Sequence, residues 1–538
     1  MPEGKRNLDA AREALLAIGD RAAAEWLALE DGQPEVRSFK AADGSDSLAA
    51  GGILQDSRAG PRAIAEGMLE RSLPGAAAGE CSLFGLGSPA LARLLLERTS
   101  RLTALEPAAS VARAFLGLGD FSREIASGKL RLLTPWAMAD GAEAPLSPLF
   151  VSHPASRRRD PAMCRAFSDL VRGRSPKGPA PGETPRILVA PPFSGGTLSM
   201  GPFLAKAAGE LKADGVLLAW PEELSREAEA AKAGRERAGG APGAPPPAGI
   251  FRKCARFLAG KARDFKPHLI LALAQAPLDE GGAEEVKDAC PDSFAAFWFA
   301  EDFRRFSYAR GIAAAWDLFL HIQGNLMDRA LRDWGVRRAA YLPPCADSDF
   351  FRPRGDAGKF RARVSFMGAA YPNRLRIFSG LDRALRARGL AEDGFRIFGS
   401  GWGAAAGGLG SRLFEGGRRL SPEETALVFA GGEVNLNVHS GPGDGFDPAS
   451  GFVNPRAFEL AAAGAFQLSD PRPLMDGLFA PGEIAVSPSP EELPDLVMDW
   501  LDRPADRARA GAAARARALG GHLYRHRLDA LMKMAFGA

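Results

Sequence analysis

The feature that most constrains this chain is a series of short, continuous apolar segments: RILVAP (186–191), VLLAW (216–220), LILALA (269–274), AAFWFA (295–300), DLFLHI (317–322) and AAYLP (339–343). Amphipathic helical stretches such as 198–211 and 325–334 separate them. Each segment is short for a helix and apolar on every side, as a strand is when helices cover both faces of a parallel sheet. A second series follows with VSFMG (364–368), FRIFG (395–399), VNLNVH (434–439), AFQLS (465–469) and IAVS (484–487). Two successive β-α-β series predict two doubly wound α/β domains in tandem. Ligands of such sheets bind beyond the carboxyl ends of the strands, so two facing domains enclose a cleft.

At 538 residues the chain has material for about three to four domains. A Pro/Gly-rich stretch at 173–185 (GRSPKGPAPGETP) holds no regular element, because Pro lacks an amide donor and Gly carries excess backbone entropy. It sets off an N-terminal block of residues 1–172 from the two tandem domains, 186–345 and 346–538. A second such stretch, 239–249 (GGAPGAPPPAG), lies between α/β segments and reads as a surface insertion. Hydrophobic residues at 46% and charged residues at 25% exclude a disordered or fibrous chain. The net charge of +3 arises from interleaved Lys+Arg (68) and Asp+Glu (65), which gives no support to nucleic-acid binding. Cys81, Cys164, Cys254, Cys290 and Cys345 are scattered, as expected in a reducing compartment without a zinc site. The N-terminus has no apolar leader region, and the most apolar run, 268–276, is far below the ~20 residues of a membrane span, so a cytoplasmic location is expected.

The N-terminal block carries a β-α-β unit of its own. Strand CSLFGLG (81–87) leads into a helix at 89–98, and strand LTALEP (102–107) ends on Glu106, about twenty residues past the glycines. Glycines there admit close backbone approach, and an acid at the second strand end accepts from ribose hydroxyls. Two readings stay open: a nucleotide or S-adenosylmethionine pocket, or a Rossmann-like domain that is structural or recognises a partner. Ser88-Pro89, where a further glycine would help, weighs on the first.

The segment with most chemistry is NPRAFELAAAGAFQLSD (454–470), a helix that turns through Gly464 into a strand. Arg456 and Glu459 are three apart and share a face near an end rich in free amides. Such a pair can hold a nucleotide-sugar, Glu459 accepting from ribose hydroxyls and Arg456 neutralising diphosphate, or it is an ordinary i,i+3 pair. Phe193-Ser194-Gly195-Gly196 follows the first strand, where Gly195 and Gly196 let the chain approach a sugar or phosphate, or simply make a turn. Glu301 and Asp302, just past AAFWFA, face the reacting centre as catalytic groups or cap the next helix.

These segments also carry a resemblance. YLPPCADSDFFRP (341–353) looks like the crossing between the halves of GT-B glycosyltransferases, and VSFMGAAYPNRLRIF (364–378), RIFGSGW (396–402), LSPEETALVFAGGEVNLNVHS (420–440) and NPRAFELAAAGAF follow in family order. FWFAEDFRRF (297–306) resembles the strand-end acidic segment of their first half. The nearest likeness is to the CgeB-like, group 1 branch, over about 350 residues from 186 onward. The resemblance implies an α/β fold in which two tandem Rossmann-like domains form a GT-B cleft, here preceded by a third Rossmann-like domain. It implies a nucleotide-sugar as substrate with no cofactor, and a donor pocket of Gly368, Arg374 near the diphosphate, Asn437 and His439 facing the sugar, Arg456 and Glu459. Many retaining relatives carry a second glutamate eight residues before the ribose-binding one, and here that position is Gly451.

The resemblance therefore implies an enzyme that moves a sugar to a protein or glycan acceptor without metal, with Arg374, Arg456 and a helix N-terminus stabilising the departing diphosphate. The alternative is a non-catalytic binding protein on a GT-B scaffold. LFGLGSPALARLLL (83–96), LTALEP and FVSHPASRR (150–158) resemble, more weakly, flagellin-modifying motility accessory proteins, which implies an acceptor such as flagellin. Asp347-Ser348-Asp349 resembles a metal-binding D-x-D but sits in the interdomain crossing, and no metal is expected there. His153, His268 and His321 lie beside apolar runs as structural histidines, while His522 and His526 read as surface residues.

Overall fold

The computed structural model describes residues 3–537 apart from 31, 73–77, 139–145, 148, 196, 238–247, 305, 325–330, 332, 392 and 442. Gly196 and most of the helix expected at 325–334 and of the stretch 239–249 therefore lie outside the described residues. The chain forms two compact units, Met1–Pro176 with Gly335–Arg337, and Lys177–Trp334 with Arg338–Ala538.

The first unit has a small antiparallel sheet of β1 (Val36–Lys40), β2 (Asp46–Ala50) and β3 (Ile53–Leu54), which the sequence pattern does not announce. Beside it lies the Rossmann-like sheet of β4 (Ala78–Phe84), β5 (Thr99–Leu105), β6 (Leu130–Leu133) and β7 (Phe150–Ser152), parallel throughout and ordered β6-β5-β4-β7. The carboxyl end of this sheet is closed by the chain's own polar groups. Wholly buried Glu106 accepts from the amides of Leu86 (2.9 Å) and Ala108 (3.1 Å) and pairs with Arg159. The amide of Ser88, at the start of helix Pro89–Arg98, donates to Asp56 (2.7 Å). A Cβ at position 85 would lie 2.2 Å from Ser156 Cβ, and one at 87 would lie 2.4 Å from His153 Nε2. The glycines thus make room for protein, and Glu106, read from sequence as a candidate ribose acceptor, has its carboxylate engaged by protein donors.

The second unit contains two parallel sheets, the tandem Rossmann-like pair that the apolar series predicts. The first is β8 (Arg186–Ala190), β9 (Asp214–Leu217), β10 (Leu269–Leu273), β11 (Phe294–Phe299), β12 (Leu318–His321) and β13 (Ala339–Tyr341), ordered β13-β12-β11-β10-β8-β9. Every residue of β10, β11 and β12 is buried, which is why these segments read as unbroken apolar runs. The second is β14 (Ala362–Met367), β15 (Phe395–Phe398), β16 (Gly432–Asn437), β17 (Gln467–Ser469) and β18 (Ala485–Val486), ordered β15-β14-β16-β17-β18.

The last helix, Tyr524–Phe536, returns to the first sheet. Its Leu528 and Leu531 share a core with Ile187, Leu271 and Trp298. Arg527 anchors it by donating to the carbonyls of Pro343 (2.8 Å) and Pro344 (3.1 Å) in the crossing. A boundary drawn at 346 from sequence assigns this helix to the second sheet, because an amphipathic stripe does not say which layer it covers. His522, read as a surface residue, is part-buried between Phe458 and Phe479, its Nε2 bonded to the Leu478 carbonyl at 2.8 Å. Among the described residues no helix is long and apolar enough to cross a membrane.

Candidate functional site

In each sheet of the second unit the first strand has its successor on one side and the third strand on the other. The chain reverses direction between β8 and β10, and again between β14 and β16. Crevices open at the carboxyl ends of strands where the order reverses in this way. The two carboxyl edges meet: Gln323, just past β12, forms an antiparallel bridge with Phe452, and the Gly324 amide donates to the Gly451 carbonyl at 3.1 Å.

At the β14/β16 crevice the helix Pro455–Ala462 begins with Pro455 at its first position and Asn454 as its cap, accepting from the Ala457 amide at 3.1 Å. Arg456 extends from the first turn across the ring of Phe366, 5.2 Å from its centroid, and lies against Gly368, where a Cβ would be 2.7 Å from Nη2. Glycine at 368 is therefore a requirement of space. Among the described residues the one hydrogen bond of this guanidinium is long, 3.4 Å from Nη1 to Asn437 Oδ1. Glu459, one turn further along, is part-buried, and its carboxylate has neither hydrogen bond nor ion pair among the described residues. Loss of water pushes Glu459 up to about 7, which the nearby Arg456 charge offsets only in part; burial likewise draws Arg456 down to about 10. A guanidinium and a carboxyl with polar atoms unengaged among the described residues thus stand at a switch point.

The other donor-side candidates are occupied. Arg374 is buried, with Nε and Nη2 donating to the Val438 carbonyl (3.0 and 2.8 Å) and Nη1 to that of Ala369 (2.9 Å). It ties the β14 loop to the β16 loop, and its donors are not open to a diphosphate. His439, expected to face the sugar, is wholly buried: Nδ1 donates to Asp470 Oδ1 (2.6 Å) and Nε2 accepts from the Asn454 amide (3.0 Å). Burial holds its pKa near 4, so the ring is neutral. Burial raises Asp470 as well, but His439 and Arg472 outweigh this and hold it at about 2. Asn437 is wholly buried between Asn454 (2.8 Å) and Gln467 (3.2 Å). Arg374, Asn437 and His439 build the frame that supports Arg456 and Glu459.

Residues 376–533 match the family model described as glycosyl transferase-like. That span holds Arg456 and Glu459 and begins after Gly368 and Arg374. No curated protein matches the chain. Among solved structures, sucrose-phosphate synthase from Thermosynechococcus elongatus is similar at 12% identity, covering 65% of this chain and 99% of its own, with a TM-score of 0.44. The HepE protein of Anabaena, solved with UDP-glucose, is similar at 12% identity over 66% of this chain and 100% of its own, TM-score 0.44. An α,α-trehalose 6-phosphate synthase from Burkholderia multivorans is similar at 13% identity over 65% and 98%, TM-score 0.42. Likenesses this distant carry no argument about chemistry.

On the β8/β10 side, Gly195 (φ +114°) packs against Gln275 at the end of β10, and Glu301 accepts hydrogen bonds from Gln275 Nε2 and from the Tyr308 hydroxyl (3.2 Å). Asp302 is otherwise placed. Its buried carboxylate receives the Arg304 amide (2.9 Å), the Arg304 guanidinium (3.0 Å) and Gln323 Nε2 (3.1 Å), while Arg304 reaches across to Asp447 at 2.8 Å. It is a tie between the halves and not an open acid or base. Asp347 and Asp349 share Lys206, at 2.7 and 2.6 Å. Among the described residues no three His, Cys, Asp or Glu side chains converge as a metal site. The sequence reading missed Gln275, Tyr308, Arg304, Asp470 and Arg472; of these only Asp470, directly after β17, carried a signal, its place at a strand end.

The raised pKa of Glu459 has a consequence for stability. The folded state takes up a proton that the unfolded chain, with an ordinary carboxyl near 4.3, does not hold between that pH and about 7. Stability from this group is therefore lost as pH rises through that window. Glu459→Gln is expected to raise the melting temperature at pH 8 and leave it nearly unchanged at pH 4. Paired thermal melts at the two pH values check it, and a lower melting temperature at pH 8 would show that the carboxylate stabilises the fold.

Proposed function

We propose that this chain transfers a glycosyl group from a nucleotide-sugar to a protein or glycan acceptor. The observation that carries the reading is the Arg456–Glu459 pair at the β14/β16 switch point, part-desolvated and with polar atoms that no protein group among the described residues engages beyond one long bond to Asn437. Glu459 accepts from the ribose hydroxyls, and Arg456 with the first-turn amides of Pro455–Ala462 binds the diphosphate. When the bond from the anomeric carbon to the phosphate oxygen breaks, its electron pair stays on the diphosphate, and Arg456 meets that charge. Arg374 contributes its charge from behind the pocket. The match of 376–533 to a glycosyl transferase-like model supports the same reading.

The resemblance to CgeB-like proteins, and that of the first unit to flagellin-modifying proteins, directs the search for the acceptor to a surface protein such as flagellin, modified in the cytoplasm. A binding protein on the same scaffold is the second reading, favoured by Gly451. Its left-handed backbone (φ +62°) and its bond to Gly324 put a link between the halves where relatives carry a sugar-contacting carboxylate.

Calorimetry with UDP-glucose, UDP-N-acetylglucosamine and GDP-mannose, followed by assay of nucleoside diphosphate release, separates the two. Binding with release supports the enzyme; binding without it supports the scaffold; no binding removes both. Because Arg456 supplies the positive charge, EDTA is expected to change neither affinity nor release. Activity abolished by EDTA and restored by Mn²⁺ would overturn the metal-free reading and return attention to Asp347 and Asp349.

A further inference from the structure

Near the carboxyl end of β14 the ring of Phe366 carries two guanidiniums, that of Arg374 at 5.1 Å from its centroid and that of Arg456 at 5.2 Å. The ring is wholly buried and fixed, 4.5 Å from the ring of Phe378 and edge-on to Trp402 at 6.1 Å. Two like charges at one buried ring repel each other, and the negative face of the ring offsets that repulsion. The backbone closes the same spot. A Cβ at 368 would lie 2.7 Å from Arg456 Nη2 and 3.0 Å from Phe366 Cζ. Gly368 is itself held, its amide donating to the Phe398 carbonyl (2.9 Å) and its carbonyl accepting from Trp402 Nε1 (3.0 Å). Arg456 therefore lies against both a fixed ring and a pinned stretch of backbone.

The two arginines share the ring but are fastened differently. Arg374 uses Nε, Nη1 and Nη2 on the carbonyls of Val438 and Ala369. Arg456 has, among the described residues, one long bond to Asn437 and the face of Phe366. A ring face attracts the charge of a guanidinium without using its in-plane N–H groups, so an arginine held by stacking keeps the fork that binds phosphate. An arginine held by carbonyls does not. We propose that Phe366 is a positioning residue that fixes Arg456 by cation–π attraction, so that its N–H groups remain for the diphosphate of the nucleotide-sugar. This rests on the glycosyl-transfer reading above. Without the attraction of the ring the long Arg456 side chain samples other rotamers in the free protein, and binding must then order it, which lowers affinity. Arg374, tied by three hydrogen bonds, keeps its place with or without the ring.

The test uses the full chain and whichever of UDP-glucose, UDP-N-acetylglucosamine and GDP-mannose calorimetry shows to bind, together with the nucleoside diphosphate alone. Phe366 is replaced by phenylalanine carrying one, two or three ring fluorines, which keep the shape of the ring while drawing electron density from its face. The proposal expects affinity for both ligands to fall stepwise, reaching about tenfold at three fluorines, in a chain still folded by circular dichroism. The same series at Phe395, in the same core and with no cation over its ring among the described residues, is expected to leave affinity unchanged. A ring at 366 that only packs would give a flat series. A second measurement needs no ligand: urea midpoints of the 366 series in the wild-type and Arg456→Ala backgrounds. Because Arg374 is present in both, a steeper fall in the wild-type background reports the hold of the ring on Arg456. A flat affinity series at 366, an equal trend at 395, or parallel stability series in the two backgrounds would each overturn the proposal. Absence of donor binding in the unmodified chain would instead strike the reading on which it rests, while the stability series still decides whether the ring holds the guanidinium.

Discussion

Replacing Arg456 with alanine is expected to lower nucleotide-sugar affinity roughly a hundredfold, the scale of a lost charge-assisted, bidentate contact to phosphate in a part-desolvated site. The fold should tolerate the change, since among the described residues the guanidinium has one long hydrogen bond, to Asn437 at 3.4 Å, and otherwise rests on Phe366. Arg374→Ala is the control. There three carbonyl contacts are lost from the interior, so stability falls along with affinity. Calorimetry beside urea unfolding distinguishes the two arginines, and equal losses of affinity and stability in Arg456→Ala would show that it, too, is part of the frame.

The largest effect on stability is expected at Asp470. This wholly buried carboxylate accepts from the His439 amide (3.0 Å) and ring (2.6 Å) and pairs with Arg472 at 2.5 Å. Asp470→Ala leaves the Arg472 charge buried without its partner and frees the His439 ring that receives the Asn454 amide at the start of helix Pro455–Ala462. Breaking such a pair from one side costs about 3–5 kcal/mol. Asp470→Asn keeps an acceptor and should cost less. Denaturant midpoints measure both, and a fall below about 1 kcal/mol for Asp470→Ala would mean that water reaches the cluster.

The strands of both large sheets were legible because burial on two faces removes polar residues from them altogether, as in LILAL and FAAFWF. Arg456 and Glu459 were legible through their spacing, which puts them on one helical face. Their difference from Arg374 was not. Both arginines follow a strand and open a helix, and what separates them is whether backbone carbonyls, those of Val438 from a distant loop and Ala369 from the adjoining one, reach the guanidinium. Asp302 and Glu301 are adjacent in sequence, yet Arg304 and Gln323 claim one and Gln275 and Tyr308 cradle the other. Gln275 itself gave no sign, since a left-handed glutamine is a product of tertiary constraint and not of local preference. The antiparallel strands β1–β3 escaped notice because they are short, at most five residues each.

The return of helix Tyr524–Phe536 to the first sheet orders events in time as well as space. On a ribosome, the strands from Arg186 to Tyr341 emerge long before the residues that cover one of their faces. At about 5–20 residues per second the interval is on the order of ten to forty seconds. Through that interval Ile187, Leu271 and Trp298 lack their final apolar partners, Leu528 and Leu531. The half that forms first is the half that must wait, and its exposed layer is where a nascent chain of this design is open to chaperones or to aggregation.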